Sequence, residues 1–429
     1  MRNILNKSAA IKVCLLACAV SAVLFAAPGC KKRNPVSPTL MMTATFNLSN
    51  TPTITPTVTP TFTITPTWTN TFTMTVTRTF TSTRISTFTG TWTASPSITQ
   101  TATATPTATL GWKIVGMQGF GEGTGYSEAF TQYNGVLYAA FSSDLFSGKA
   151  TVWRFNGSIW EHLGPQGFTQ SSANPIALKI YNGTPYIAFG DGTNSKATVM
   201  KYNGTDWETV GQAGFSQCMP GYISLQISAD GTLYVGYSDT ANGRKASVMK
   251  YDGTSWSFVG NPDFTSDSTY MSCLRLSDSG IPYIGYKVYQ YVYPYNTVVM
   301  KFDGVNWVNV GAPGIFTGIF NYMSLFIYGE VPYAADGGMV KNFDGANWVN
   351  AASSGYSAGT PAAMYIYNGT PFIVCNGPSV IRYNGTSWEY VGPPGFPSTS
   401  GTGNYSMLFI NGTPYVIFGS TVFKYDGSF

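Results

Sequence analysis

From residue 111 onward the chain alternates short apolar runs with short polar breaks, and the alternation recurs. One copy runs through residues 176–180 (Ile-Ala-Leu-Lys-Ile), 185–189 (Pro-Tyr-Ile-Ala-Phe), 197–202 (Ala-Thr-Val-Met-Lys-Tyr) and 207–210 (Trp-Glu-Thr-Val). Each run has strand length and is rich in β-branched and aromatic residues, and no stretch of 11 residues after Gly111 carries the 3.6-residue period of a helix. The breaks hold Asn-Gly or Asp-Gly pairs, as at Asn182-Gly183, Asp230-Gly231 and Asn411-Gly412, which tolerate the positive φ of a tight hairpin. If residues 203–206 form a four-residue loop, Tyr202 lies opposite Trp207 and Lys201 opposite Glu208. The same spacing sets Arg154 against Glu161 and Arg382 against Glu389.

Tryptophans number the copies. Eight residues after Trp112, Trp160, Trp207, Trp256, Trp307, Trp348 and Trp388 stands a bulky apolar residue, and four residues after each stands glycine, except for Ala352. A second aromatic follows in every copy: Tyr138, Tyr186, Tyr234, Tyr283, Tyr333, Phe372 and Tyr415. The spacing of 40 to 51 residues between tryptophans is that of four-stranded propeller blades. The last copy ends at residues 425–429 (Tyr-Asp-Gly-Ser-Phe) without its tryptophan, and residues 111–116 (Gly-Trp-Lys-Ile-Val-Gly) supply it. A repeat split between the two ends predicts a closed ring. The expected fold is all-β, a seven-bladed β-propeller over 111–429, with the repeated aromatics packed between blades.

Function in such a ring sits where the copies differ. The distance from the second aromatic to the next tryptophan is 21 to 24 residues in blades one to four, but 15 and 16 in blades five and six. The shortening falls between strands two and three, so blades one to four should raise a wall and blades five to seven a sill, leaving a one-sided cleft. The tallest loop, 287–296, carries Tyr289, Tyr291, Tyr293 and Tyr295 at alternate positions. On an extended hairpin they would share one face, suited to stacking on sugar rings or a peptide, or else to packing on the neighbouring blade.

The first 110 residues have another character. Arg2, Lys7 and Lys12 precede an apolar run at 13–27 that is too short for a bilayer span, which reads as a signal peptide over 1–30. The run ends at Ala27-Pro28-Gly29-Cys30, so the alternatives are lipid on Cys30 and plain cleavage near Ala27. Residues 31–110 form a Thr/Pro-rich linker, expected as an open, extended stalk, although its alternation of Thr with Phe, Ile and Val is also β-prone. The net charge of +4 hides a division: residues 1–110 carry eight basic and no acidic residues, leaving 15 basic and 19 acidic in the ring. A mildly acidic ring without a basic run lacks the footprint of a nucleic-acid binder.

Catalytic and metal signals are sparse. His162 is the only histidine and has no partner by motif, so neither a Ser/His/Asp triad nor a metal site is expected, and no cofactor is called for. Cys218, Cys273 and Cys375 show no metal-type spacing, can form at most one disulfide, and read as small buried hydrophobes. Asp191 and Asp239 share an offset from strand two and read as Asx-turn caps before calcium ligands. The Asn-Gly-Thr sites, including Asn203 and Asn384, match a glycosylation pattern but are explained as turns.

Residues 196–211, with Gly214 and Phe215, resemble the repeat of bacterial secreted β-propellers in the kelch and galactose-oxidase-like group. The segment ending at Cys30 is similar to a bacterial lipoprotein signal, with Ala27 and Pro28 where that box carries Leu and a small residue. Lys31 and Lys32 stand where an inner-membrane retention Asp would, which implies an outer-membrane or cell-surface location. The kelch double glycine and the paired histidines of a copper site are absent from the sequence, and where a sialidase sets three arginines around its substrate the domain has only Arg154, Arg244, Arg275 and Arg382, the first and last at an equivalent repeat position. The leading expectation is therefore a lipid-anchored, non-catalytic, monomeric binding module for a glycan or extended polypeptide. The alternatives are a polysaccharide hydrolase or lyase with acids in the cleft, and a protein–protein scaffold.

Overall fold

A computed structural model of the chain describes residues 42–43, 46–47, 57–66, 72–81 and, from 111 to 429, all but 121–124, 289–294, 319–322, 353–354, 359–360, 377–378, 397–404 and 428. It divides into two compact units, Met1–Thr103 and Ala104–Phe429. In the first, Thr57–Pro66 pairs antiparallel with Phe72–Thr81 and with the two-residue strands Met42–Thr43 and Phe46–Asn47. Where open stalk was expected, these segments are paired; the alternation of Thr with apolar residues is the pattern that permits it. Cys30 and the leader lie outside the described residues.

The second unit is a ring of seven antiparallel sheets, each of four strands in sequence order. Blade two shows the pattern: Ala173–Tyr181, Thr184–Asp191, Lys196–Tyr202 and Trp207–Thr209. Its register sets Tyr202 opposite Trp207 and Lys201 opposite Glu208 as the spacing requires, and Arg154–Glu161 and Arg382–Glu389 pair likewise. Blade seven is completed by the N-terminal strand: Trp112–Ile114 pairs with Thr421–Tyr425, with Trp112 opposite Tyr425. Blade four departs from the pattern by an added two-residue strand, Thr317–Gly318, paired with Tyr295 and Asn296.

The turns obey local chemistry. Between strands one and two, Asn182 and Gly183 take φ of 48° and 79°, and Asn134, Asn368 and Asn411 repeat the conformation with their glycines. Between strands three and four, Asn203 Oδ1 accepts from the backbone N–H groups of Thr205 and Asp206, and Asp252, Asp303, Asp344, Asn156 and Asn384 do the same. These side chains cap turns, as their sequence context implied.

What joins the blades is the Trp–Gly–Phe phrase. The Trp207 indole N–H donates to Leu163 O of the preceding blade at 3.0 Å, and Trp160, Trp256, Trp307, Trp348 and Trp112 each reach the equivalent carbonyl at 2.7–3.1 Å. In four junctions the residue eight past one tryptophan stacks on the next, as Phe120 on Trp160 with centroids 4.0 Å apart and Phe215 on Trp256 at 3.9 Å, while Tyr356–Trp388 and Phe396–Trp112 meet edge-on. The intervening glycine makes room. Gly211 has φ +67°, and a Cβ there would lie 2.7 Å from Tyr251 and 3.0 Å from Trp256. One phrase thus supplies the acceptor, the gap and the stacking ring, each contact contributing on the order of 1 kcal/mol beyond burial.

Candidate functional site

Strand one of every blade faces the axis, and together the seven line a channel of about 480 Å³. Two layers of side chains follow from the register. At the position opposite the strand-two aromatic stand Thr131, Lys179, Gln226 and Arg275 in blades one to four. The same position holds Phe326, Tyr365 and Leu408 in blades five to seven. Two residues earlier every blade is small: Ala129, Ala177, Ser224, Cys273, Ser324, Ala363 and Ser406. The small layer keeps the bore open. The layer beyond it, nearer the hairpins joining strands one and two, is cationic and polar on one half and aromatic and apolar on the other.

The electrostatics of that layer are one-signed, because none of the described lining residues is acidic. Removal from bulk water, and secondarily Arg275 across the bore, push the Lys179 ammonium down from 10.5 to about 8. Lys179 has no hydrogen-bond partner among the described residues, although it keeps partial access to the channel. Arg275 spends one N–H on Leu274 O at 2.9 Å, a carbonyl that Gln226 and Ser224 also reach. Opposite them Phe326 and Tyr365 lie with ring centroids 4.7 Å apart.

On the other face of the ring the connections differ in length between blades. Strands two and three are joined by 144–148, 192–195, 240–244 and 289–294 in blades one to four, but only by 337–338, 376–378 and 419–420 in blades five to seven. These connections share a face with the blade-to-blade segments: Ala173 N–H donates to Gly148 O, Thr269 to Arg244 O and Tyr356 to Gly338 O. Tyr289, Tyr291 and Tyr293 lie outside the described residues. Tyr295 is described, half-buried in strand three of blade four opposite Gly318. Lys287, at the base of that loop, ends up wholly buried, its Nζ 2.5 Å from Asp336 Oδ2 of blade five. Thr297 donates to the same carboxylate, and burial nonetheless raises the Asp336 pKa.

The remaining candidates resolve as structure. His162 packs on Trp153 with ring centroids 3.7 Å apart and contacts Gln166. Asp191 and Asp239 close strand two and accept from the backbone N–H groups of Thr193 and of Ala241 and Asn242. The three ring cysteines are free. Only Cys375 is fully buried, its thiol pushed up to about 12; Cys218 donates to Asp239, and Cys273 lines the channel. No group of three potential metal ligands occurs among the described residues. Two interblade grooves hold Arg154 and Lys201, but Glu161 and Glu208 neutralise those charges.

No family model matches the chain, and no curated protein does. Solved structures similar to it include the Aleuria aurantia lectin in complex with Fucalpha1-6GlcNAc, at 15% identity and TM-score 0.42, covering 63% of this chain and 97% of the lectin. The polysaccharide lyase Uly1 gives 11% identity and TM-score 0.43, over 72% of this chain and 90% of the lyase. An alpha-L-arabinofuranosidase from Clostridium thermocellum gives 14% and 0.34, over 54% and 95%. At these distances the likenesses do not choose between binding and catalysis.

Proposed function

We propose that this chain is a binding module whose propeller holds a glycan or extended polypeptide on its loop face, over the low blades and against the wall of blade four, without altering it chemically. The observation that carries the reading is the loop asymmetry, with connections of four to six residues in blades one to four and of two or three in blades five to seven. Such a step makes a recess open on one side, which suits a long ligand passing across the ring. On this reading the alternate tyrosines at 289, 291 and 293 would supply ring faces for sugar C–H groups or peptide planes, while Tyr295 lies in strand three at the base of the loop. A hydrolase would need two carboxylates facing one bond. Among the described residues, Asp191 and Asp239 cap turns and Asp336 sits in a buried ion pair, while Asp263, whose pKa is raised by burial and by nearby Asp239, accepts from Asn242 and Ser247.

The test is a broad glycan and peptide array probed with the purified chain, followed by titration of any ligand found against a variant with Tyr289, Tyr291 and Tyr293 changed to Ala. Affinity should fall at least tenfold; an unchanged affinity removes the wall from the account. We further propose attachment to the outer membrane through lipid on Cys30. Metabolic labelling with a fatty acid should mark the wild type and leave Cys30→Ser unlabelled, and an unlabelled wild type returns the leader to plain cleavage near Ala27.

A further inference from the structure

We propose that the hairpin end of the central channel is a separate binding site, for a small organic carboxylate with a flat apolar or C–H-rich face. Four observations converge on it. The bore is about 480 Å³, within the roughly 300–1,000 Å³ of small-molecule sites. Lys179 and Arg275 reach it from blades two and four with no described acid between them, and the Lys179 ammonium has no hydrogen-bond partner among the described residues. Gln226, on the blade between, places a polar amide between the two cations. Across the layer, Phe326 and Tyr365 present an aromatic wall.

Two like charges held in a shared, partly dehydrated space repel each other, and no described lining residue carries a negative charge to offset them. An anion between them converts repulsion into two charge-assisted contacts, and Arg275 keeps N–H donors beyond the one given to Leu274 O. The aromatic half selects among anions. A bare inorganic anion satisfies only the cationic half, whereas a carboxylate on a flat body also covers Phe326 and Tyr365. This site lies at the opposite end of the ring from the loop wall and does not depend on the reading proposed for that face.

The experiment is isothermal titration of the full chain, in buffer free of other carboxylates, with benzoate, glucuronate, glucose and inorganic sulfate. Benzoate or glucuronate should bind, with glucose at least tenfold weaker; the two carboxylates distinguish an aromatic from a sugar body. Lys179→Met should cost at least tenfold in carboxylate affinity, and Tyr365→Leu several-fold. Lys250→Met, on strand three of blade three and away from the channel, should change nothing. Carboxylates that fail to bind, or sulfate binding as tightly as both, would overturn the proposal. So would carboxylate binding that survives Lys179→Met in a variant whose unfolding transition shows it to be folded.

Discussion

Replacing Lys179 by Met should stabilise the empty protein at neutral pH, and the gain should vanish in alkali. The lysine's pKa falls from 10.5 to about 8 on folding because its ammonium leaves water and faces Arg275. Below pH 8 the group is charged in both the folded and unfolded chains, so the whole cost of burying the charge is present. Between pH 8 and 10.5 the folded chain sheds its proton first; the unfolded chain then holds more protons, and stability rises with pH. At about 1.4 kcal/mol per pH unit the fall corresponds to about 3 kcal/mol, which the partial access of Lys179 to the channel reduces to about 2. Met keeps the stem and removes the charge. Urea unfolding followed by tryptophan fluorescence should therefore place Lys179→Met about 2 kcal/mol above the wild type at pH 7, with the gap narrowing through pH 8–10.5 and closing by about pH 11. Comparing the two chains cancels the titration of other groups in that range. A variant no more stable at pH 7, or a gap as large at pH 11 as at pH 7, would refute the claim that a dehydrated charge lines the channel.

Three further outcomes test the packing. Gly211→Ala forces a Cβ to 2.7 Å from Tyr251 at φ +67° and should cost about 3 kcal/mol, whereas Gly253→Ala, at φ +99° with open space around it, should cost about 1; equal midpoint shifts in urea would contradict the interblade gap. Lys287→Met strands the buried Asp336 carboxylate and should cost about 3–5 kcal/mol, while the double change with Asp336→Leu should recover most of it, as a double-mutant cycle would show. Trp112→Ala should destabilise by about 3–5 kcal/mol, as much as Trp207→Ala, since both indoles are buried and both reach a carbonyl of the preceding blade. A tolerated Trp112→Ala would mean the closing strand contributes little.

The ring was legible because its joints repeat. Trp207, Gly211 and Phe215 stand for a phrase that recurs around the axis with few departures, so spacing alone exposes it, and the tryptophan position left empty after Tyr425 in the last copy points to Trp112. The lengths of the connections between strands two and three were legible too, because a deletion between two fixed columns can fall in few places. The channel was harder to read. Thr131, Lys179, Gln226 and Arg275 are each unremarkable in their own strand, and they become a site only because residues about 48 positions apart meet on one axis. Aligning the copies on the second aromatic and reading the column opposite it would have found them, since that column changes character between blades while the one before it stays apolar throughout. The buried position of Lys287 was not legible, because its partner Asp336 belongs to the next blade and a lysine beside a loop reads as exposed. In residues 57–81, Thr alternation is compatible with both open chain and paired strands, and pattern alone does not separate them.

The closing strand also decides how the ring would fail under load. Any pull delivered through the residues before Gly111 enters at Trp112–Ile114, three residues long and outermost in its blade, fastened at its start by Gly111 N–H to Asp426 Oδ1 at 2.6 Å and by Asp426 N–H to Gly111 O at 3.1 Å. Force applied there loads three ladder positions before any other strand of the ring, and the first indole to feel it is the one holding blade seven to blade six. That short strand is the mechanical fuse of the molecule.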